Sequence, residues 1–419
     1  MHKLKKKLYL LVVRYFQVWA NYSLRRWHPR VIAITGSVGK TTMLGLMELQ
    51  LGGRAHYSHN ANSAYGICFD ILGMTGITGS KLKWLYLFVA APLRSLWFRH
   101  RKEFYVVEID GERPNETQLL AKWLQPEVTI WVSVGRTHAV YYDEQVKSGQ
   151  FATVEEAIVH EFASLPRQTR ELVIFDGDNA AMKRSLGQLK TVKTASVDSA
   201  ALETYAVWPD KTDFVVGKQA YHFTQPMPRE VYLQLAMLGK LAAYLKLEPV
   251  HDLAAFVQPP GRSNFLRGKK GIKLIDSTYN AHLMSMQSII ELFREMQTTH
   301  KWIVIGDIVE QGEAEAEEHA KLGALLKQTN FERYILVGRR TQKYSLPEMN
   351  AVKTVSFLQP KDALAYLKAE LNGGETVLFK GSQYLEGVVE QLLEDPEDAK
   401  YLPRQEPAAK RRRAQWGLR

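Results

Sequence analysis

Short apolar runs rich in Ile and Val alternate along this chain with longer segments of helical spacing. Strands are predicted at Val31–Thr35, Tyr105–Ile109, Val128–Ser133, Leu172–Phe175, Lys273–Ile275, Trp302–Ile305, Tyr334–Val337 and Thr376–Phe379. A helix is predicted over Val231–Leu247, where apolar residues recur at three- and four-residue intervals. Such alternation is the signature of α/β layers around a largely parallel sheet. The turn-forming stretch "PPGRSN" (Pro259 to Asn264) interrupts the pattern and marks a domain boundary. Four regions are expected: a basic amphipathic segment over 1–30, a central domain over 31–259, a C-terminal domain over 260–395 and a basic tail over 396–419.

Composition supports more than one core, since a chain of 419 residues with 46% hydrophobic content exceeds an ordinary single domain. The lone Cys68 excludes an intramolecular disulfide and is compatible with a reducing cytoplasm. Fifty-five Lys and Arg against 44 Asp and Glu give a net charge of +11, which favours anionic partners.

That charge is concentrated. Residues 1–30 set Lys3, Lys5, Lys6, Lys7, Arg14, Arg25, Arg26 and Arg30 among aromatic and aliphatic residues with no acid. The longest uncharged apolar run there, Leu8 to Val13, is far short of the roughly 20 residues a spanning helix needs, so a signal or transmembrane anchor is not expected. Two readings fit the segment: a helix lying on an anionic membrane surface, where each basic residue contributes about 1 kcal/mol, or a helix packed on its own domain. "KLKWLYLFVAAPLRSLWFRHRK" (Lys81 to Lys102) repeats the recipe, with a bend expected at Pro92. "AAKRRRAQWGLR" at the end reads as a solvated tail, and no RNA or DNA module accompanies it, so nucleic acid is not an expected partner.

The chemistry begins at "VIAITGSVGKTT" (Val31 to Thr42), a β-branched strand running into a glycine turn and Lys-Thr-Thr. A strand, glycine turn and helix in that order aim backbone N–H groups and a positive helix end at one point, where phosphate oxygens can sit. Gly36, Ser37, Val38 and Gly39 would form the cradle. Lys40 would neutralise the β- and γ-phosphates of ATP, and Thr41, followed by Thr42, would offer its hydroxyl to Mg²⁺. The general G-x-x-x-x-G-K-[ST] pattern is not fully met, because Ile34 occupies its first glycine position.

Several segments, in order, resemble the Mur ligases, ATP-dependent enzymes that join amino acids or short peptides to a carboxylate in peptidoglycan assembly. "TGSVGKTT" is similar to their shortened phosphate loop, "NANSAYG" (Asn60 to Gly66) to an N-x-N-x-x-x-G segment, "YVVEID" to a metal-binding strand end and "VSVGRTHAVYY" to a histidine loop. "PGRSN" and "IDSTYNAHLMSM" resemble the linker and nucleoside-binding segment; "VIGDIVEQGEAEAEEH" and "FKGSQ" resemble the third domain of the F-type branch. The resemblance implies a phosphate-loop, parallel-sheet ATPase domain followed by a smaller Rossmann-like α/β domain.

It also implies roles. ATP would convert a substrate carboxylate to an acyl phosphate, which an amine attacks. Lys40, Glu108 and His138 would be catalytic, with Thr41 and Glu108 holding Mg²⁺ and His138 holding a second metal or orienting the acyl phosphate. Arg262 would reach the phosphates, and Asp276, Tyr279 and Asn280 would contact adenine or ribose. Asn60 and Asn62 would face the acceptor or the metal shell, and Lys380 and Ser382 the carboxylate of the amino component. The acceptor would be a peptidoglycan-precursor carboxylate, UDP-linked in the family, with the enzyme cytoplasmic; the basic aromatic segments, not the resemblance, are what would make it peripheral on the inner membrane face.

Departures accompany the resemblance. No lysine stands in "ATVEEAIVHEFASLP", where the family carries a modified lysine for the second metal; Glu161 is the candidate substitute. Ser277 and His282 replace an Asp and an Asn of the F-type nucleoside segment, and about 30 residues precede the phosphate loop where the family has a UDP-sugar domain. Two alternatives follow: the same chemistry on a poly-amino-acid or folate-like acceptor, or a non-catalytic nucleotide-binding subunit.

Overall fold

A computed structural model describes residues 2–59, 61–76, 81–187, 189, 192–349, 353–382 and 384–418. Every predicted strand is present, within one or two residues of its expected ends.

The chain divides into two compact units. Unit 1 comprises residues 1–135, 148–198 and 237–249. Helix α1 (His2–Trp27) leads into β1 (Arg30–Thr35), then α2 (Lys40–Leu51), β2 (Ala55–Tyr57), α3 (Ala64–Ile71), α4 (Lys81–Trp97) and β3 (Phe104–Ile109). Helix α5 (Glu116–Leu124), β4 (Val128–Trp131), β5 (Leu172–Asp176) and β6 (Lys193–Val197) follow. The six strands pair in parallel in the order β2-β3-β1-β4-β5-β6. Central strands of a parallel sheet are covered on both faces, and accordingly β3 is buried at all six positions and β1 at five of six.

Unit 2 comprises residues 136–147, 199–236 and 250–419. An antiparallel meander of β7 (Leu202–Val207), β8 (Thr212–Val216) and β9 (Gln219–Phe223) precedes a second six-stranded sheet. That sheet is built from β10 (Asn264–Arg267), β11 (Lys273–Ser277), β12 (Lys301–Gly306), β13 (Arg333–Val337), β14 (Thr354–Phe357) and β15 (Thr376–Lys380) in the order β10-β11-β15-β12-β13-β14. All pairs are parallel except β10 with β11. One apolar layer lies on each face of it, with Leu274, Val304 and Phe379 in one and Ile275, Ile305 and Leu378 in the other.

Two expectations are corrected and one open pair of readings is narrowed. The boundary expected at 260 is not where the compact units divide: 136–147, 199–236 and 250–259 all cluster with the C-terminal residues. Of the two readings for residues 1–30, α1 takes the packed one: its Val13, Phe16 and Ala20 are at most 1% exposed in the core of unit 1 beside Ile67, Phe69 and Leu87. Phe16 packs on Phe69 and Phe88 with ring centroids at 4.7 and 5.0 Å, and Tyr9 donates to Glu116 at 2.8 Å, tying α1 to α5. The end of the chain is not a free tail. Helix Pro407–Gln415 packs on helix Leu385–Leu392 through buried Arg413, which pairs with Glu390 at 2.7 Å, and Leu418 is buried in the same core. No helix among the described residues is long and apolar enough to cross a membrane.

Candidate functional site

The phosphate loop follows β1 as expected. Gly36 (φ 140°) and Gly39 (φ 85°) occupy backbone regions that favour glycine. At Gly36 a side chain is also excluded sterically, since a Cβ would lie 2.7 Å from the Ser133 carbonyl oxygen. The loop is laced to the residues after β4: Ser37 N–H donates to Ser133 O (3.2 Å), Val38 N–H to Ser133 Oγ (2.8 Å) and Ser37 Oγ to Gly135 O (2.9 Å). This bracing holds the loop's backbone in one conformation, with Thr42 buried behind it in α2.

Lys40, the first residue of α2, is 8% exposed; its Nζ donates to Gly36 O at 2.5 Å and lies 3.5 Å from Asp110 Oδ1. Thr41 Oγ1 lies 3.1 Å from Glu108 Oε2. Register places Glu108 beside Ile34 on the neighbouring strand, so the acid at the end of β3 meets the start of α2 by sheet pairing alone. Ser58 accepts the Glu108 N–H at 2.8 Å, and Asn62 O accepts the Asp110 N–H at 3.2 Å, so the Asn segment borders the same strand end. Asn60 lies outside the described residues, and Asn62 is exposed. A hydroxyl and a carboxylate oxygen at this separation, beside a buried ammonium, fit a hard divalent cation such as Mg²⁺ next to phosphate. Asp110 was not singled out by sequence reasoning. Its signal was its place two residues after Glu108, on the same side of an alternating strand end.

His138 belongs to unit 2. Its backbone is left-handed (φ 53°) and its Nδ1 lies 2.7 Å from Glu310 Oε2. A carboxylate only accepts, so the contact puts a proton on Nδ1. Glu310, in "VIGDIVEQGE", was another residue missed by sequence reasoning; an acid in a polar loop has no periodicity to mark it. Glu161, the candidate substitute for the modified lysine, is otherwise engaged. Its oxygens accept the Asn115 and Thr117 N–H groups at 2.8 and 2.7 Å, so it caps α5. No cluster of three or more His, Cys, Asp or Glu suited to a metal occurs among the described residues.

A second constellation sits at the ends of β11 and β15 in unit 2. Asp276 is fully buried; Thr278 donates to its Oδ1 from both N (3.1 Å) and Oγ1 (2.7 Å), while Oδ2 has no partner. Burial pushes its carboxyl up to about 7. Lys380, 5% exposed and in register with Ser277, is pulled down to about 7 by burial and by the Arg262 charge, with Asp276 opposing. Arg262 lies over the exposed Tyr279 ring at 4.7 Å, and Arg404 donates to Tyr279 O (2.6 Å) and Thr278 O (3.1 Å). Asn280 is exposed beside it, and its Oδ1 accepts the Ala281 N–H at 3.2 Å. Arg404 is a third missed residue, in a stretch without motif.

Ser382 is turned inward: its N–H and Oγ both donate to Asp307 O, at 3.1 and 2.7 Å. That use ties the β15 turn to the β12 turn. Ser277 is buried at the end of β11, and His282 caps helix Leu283–Glu295 by accepting from Ser285 N–H at 3.3 Å, which is work an Asn can also do.

The fold, the braced phosphate loop and the C-terminal sheet are similar to those of Mur ligases. Residues 261–383 match the Mur ligase glutamate ligase domain. Over 394 residues the chain is 24% identical to a UDP-N-acetylmuramoyl-tripeptide–D-alanyl-D-alanine ligase of Bacillus subtilis, covering 91% of this chain and 79% of the relative. Among solved structures it is similar to MurF ligase from Thermotoga maritima in complex with ADP, with a TM-score of 0.73, 21% identity and coverage of 92% and 84%. MurF from Acinetobacter baumannii follows at a TM-score of 0.72, 19% identity and coverage of 92% and 80%.

Proposed function

We propose that this chain is an ATP-dependent carboxylate–amine ligase that adds a D-alanyl-D-alanine-like amino component to a carboxylate of a peptidoglycan precursor, UDP-linked as for the named relatives. The observation that carries the reading is the grouping of Lys40, Thr41 and Glu108 at the end of a braced phosphate loop. Mg²⁺ held by Thr41 and Glu108 would supply charge neutralisation at the transferred phosphoryl group.

The chain's own residues supply the rest. Loop N–H groups and the start of α2 bind phosphate oxygens, and Lys40 moves from Gly36 O onto the transferring group as negative charge develops. Asp110 holds the ammonium in place between turnovers. The amine then attacks the acyl carbon of the acyl phosphate formed on the substrate, the C–N bond forming as the C–O bond to phosphate breaks and inorganic phosphate leaves. His138, oriented by Glu310, is suited to accept a proton from that amine or to position the acyl phosphate. In unit 2, Arg262, Asp276, Tyr279 and Asn280 are assigned to nucleoside recognition, and Lys380 to an anionic group of ligand. Ser382 retains its proposed carboxylate role only through its turn, since its hydroxyl is committed to Asp307. Asn60 and Asn62 keep their proposed place near the acceptor.

ATP and UDP-linked substrates place the reaction in the cytoplasm, and we assign to unit 1 a peripheral contact with anionic membrane. Phosphate release from ATP, recorded with D-alanyl-D-alanine and each of several carboxylate acceptors, tests the ligase reading. Release that requires both a UDP-linked muramoyl peptide and the dipeptide is expected. Turnover indifferent to every amine and carboxylate would overturn it and favour a nucleotide-binding subunit.

A further inference from the structure

Helix α4 is amphipathic in an inverted sense: it is apolar on the side that packs and apolar again on the side that does not. Leu87 and Ala91 are buried in the core of unit 1. Facing outward, Leu82, Leu85, Tyr86, Val89, Leu93 and Trp97 are between 43% and 80% exposed. Their spacing of three and four residues makes a continuous stripe along about 22 Å of helix. A surface helix of a soluble domain ordinarily turns charged residues to water, and a contiguous apolar stripe marks an interaction surface.

The surroundings select the partner. Lys83 and Arg94 on α4, Arg99, Arg101 and Lys102 just beyond it, and Arg14 and Arg25 on α1 are all exposed. No Asp or Glu occurs between Asp70 and Glu103, nor before Glu48. A second copy of these acid-free stretches would bring like charges together. A spanning arrangement is excluded for α4, since no described helix is long and apolar enough. An anionic bilayer answers both features, taking aliphatic and aromatic side chains at the headgroup boundary and basic side chains against headgroups.

The face is also preformed. Arg26 of α1 donates to Ser95 O and Leu96 O at 2.8 Å each, fastening the C-terminal carbonyls of α4, and Tyr15 donates to Phe88 O at 2.6 Å. We propose that the outward face of α4 seats unit 1 on an anionic lipid surface, with α1 as its internal support. The inference rests on the peripheral-membrane part of the preceding reading and is independent of the ligase chemistry.

The test uses the full chain with vesicles of phosphatidylcholine alone or mixed with phosphatidylglycerol. Co-sedimentation is expected only with the mixed vesicles, decreasing with salt but leaving an apolar remainder. The double variant Leu85→Glu, Trp97→Glu should weaken binding by about tenfold or more, with unchanged melting temperature and ATP turnover, because both side chains face water. Absence of vesicle binding, or binding indifferent to the double variant, overturns the proposal. So does a dimer in sedimentation velocity that the variant dissociates without affecting lipid. An unaltered chain that binds the mixed vesicles yet turns over no ATP would instead count against the ligase reading alone.

Discussion

Lys40 and Lys380 lie just past or at the end of a central strand in two different sheets, and their surroundings differ. Lys40 begins α2 with its Nζ on the carbonyl of Gly36, the residue after β1, and Lys380 ends β15 next to Gly381; both glycines have φ near 140°. Each of those glycines abuts the backbone of the neighbouring strand's turn, so that a Cβ would come within 2.7 Å of Ser133 or 2.4 Å of Gly306. Both lysines are nearly fully buried. Lys40, however, has a hydrogen bond to Gly36 O and an ion pair with Asp110, whereas Lys380 faces the Arg262 charge and gives up its proton near neutrality. A buried ammonium with local partners is fit for constant duty. One without them binds an anion only while the pH keeps it charged.

The comparison breaks most sharply at Lys40. Lys40→Ala should lower ATP turnover by about 10²- to 10³-fold, the usual loss when one preorganised charge aimed at the transition state is removed. A variant that folds, by circular dichroism, yet releases phosphate near the original rate would remove Lys40 from the site. Glu108→Gln comes next: an amide is a poorer ligand for a hard cation, so the Mg²⁺ concentration for half-maximal turnover should rise more than KM for ATP does. Parallel titrations of Mg²⁺ and ATP check it.

Lys380 should reveal itself through pH. Lys380→Met is expected to weaken binding of the ligand's anionic group by several-fold at pH 6 and to have little effect at pH 9, where the native amine is already neutral; KM measured at both values decides. Stability carries the same signature. The folded chain releases this proton near 7 and the unfolded chain near about 10.4, so the folded form binds fewer protons across that window and gains stability as pH rises through it. Lys380→Met removes that slope, and its stabilising effect in urea should shrink from pH 7 to pH 10.

The smallest expected effect is at Asp276. Its carboxyl is pushed up to about 7, so the folded chain holds a proton that the unfolded chain loses near about 3.9, and stability falls as pH rises between those values. Asp276→Asn keeps an oxygen to accept from Thr278 and should shift the urea midpoint upward at pH 8 but not at pH 4. Equal shifts at both values would show that the buried carboxyl does not titrate in this range.

Much of this was legible in the residues because parallel-sheet strands are buried on both faces and read as unbroken Ile/Val runs, as in β1, β3 and β12. The meander β7–β9 was not, since "LETYAV" and "QAYHF" are half exposed and carry a weak pattern. Its one local signal was the hairpin turn at Gly217 and Lys218, both with positive φ. The edge strands β2, β6, β10 and β14 were missed for the same reason. Lys40, Thr41 and Glu108 could be named because a motif fixes the first two and a strand end marks the third. Glu310 and Arg404 could not, because their partners are remote in sequence, and Asp110 had only its spacing from Glu108 to mark it.

By itself the order of residues determined the strand–turn–helix grammar of the phosphate loop, the α/β alternation and the two basic aromatic helices. Periodicity and glycine conformation are local properties, readable without knowing neighbours. Which face of each helix packs and which stays bare was decided only in three dimensions. α1 and α4 share a composition, but Phe16 finds Phe69 and Phe88 while Trp97 finds water. The assignments of Glu161 to a helix cap and of Ser382 to Asp307 were decided in the same way, because a polar side chain's duty is set by the donors and acceptors that folding brings within about 3 Å of it.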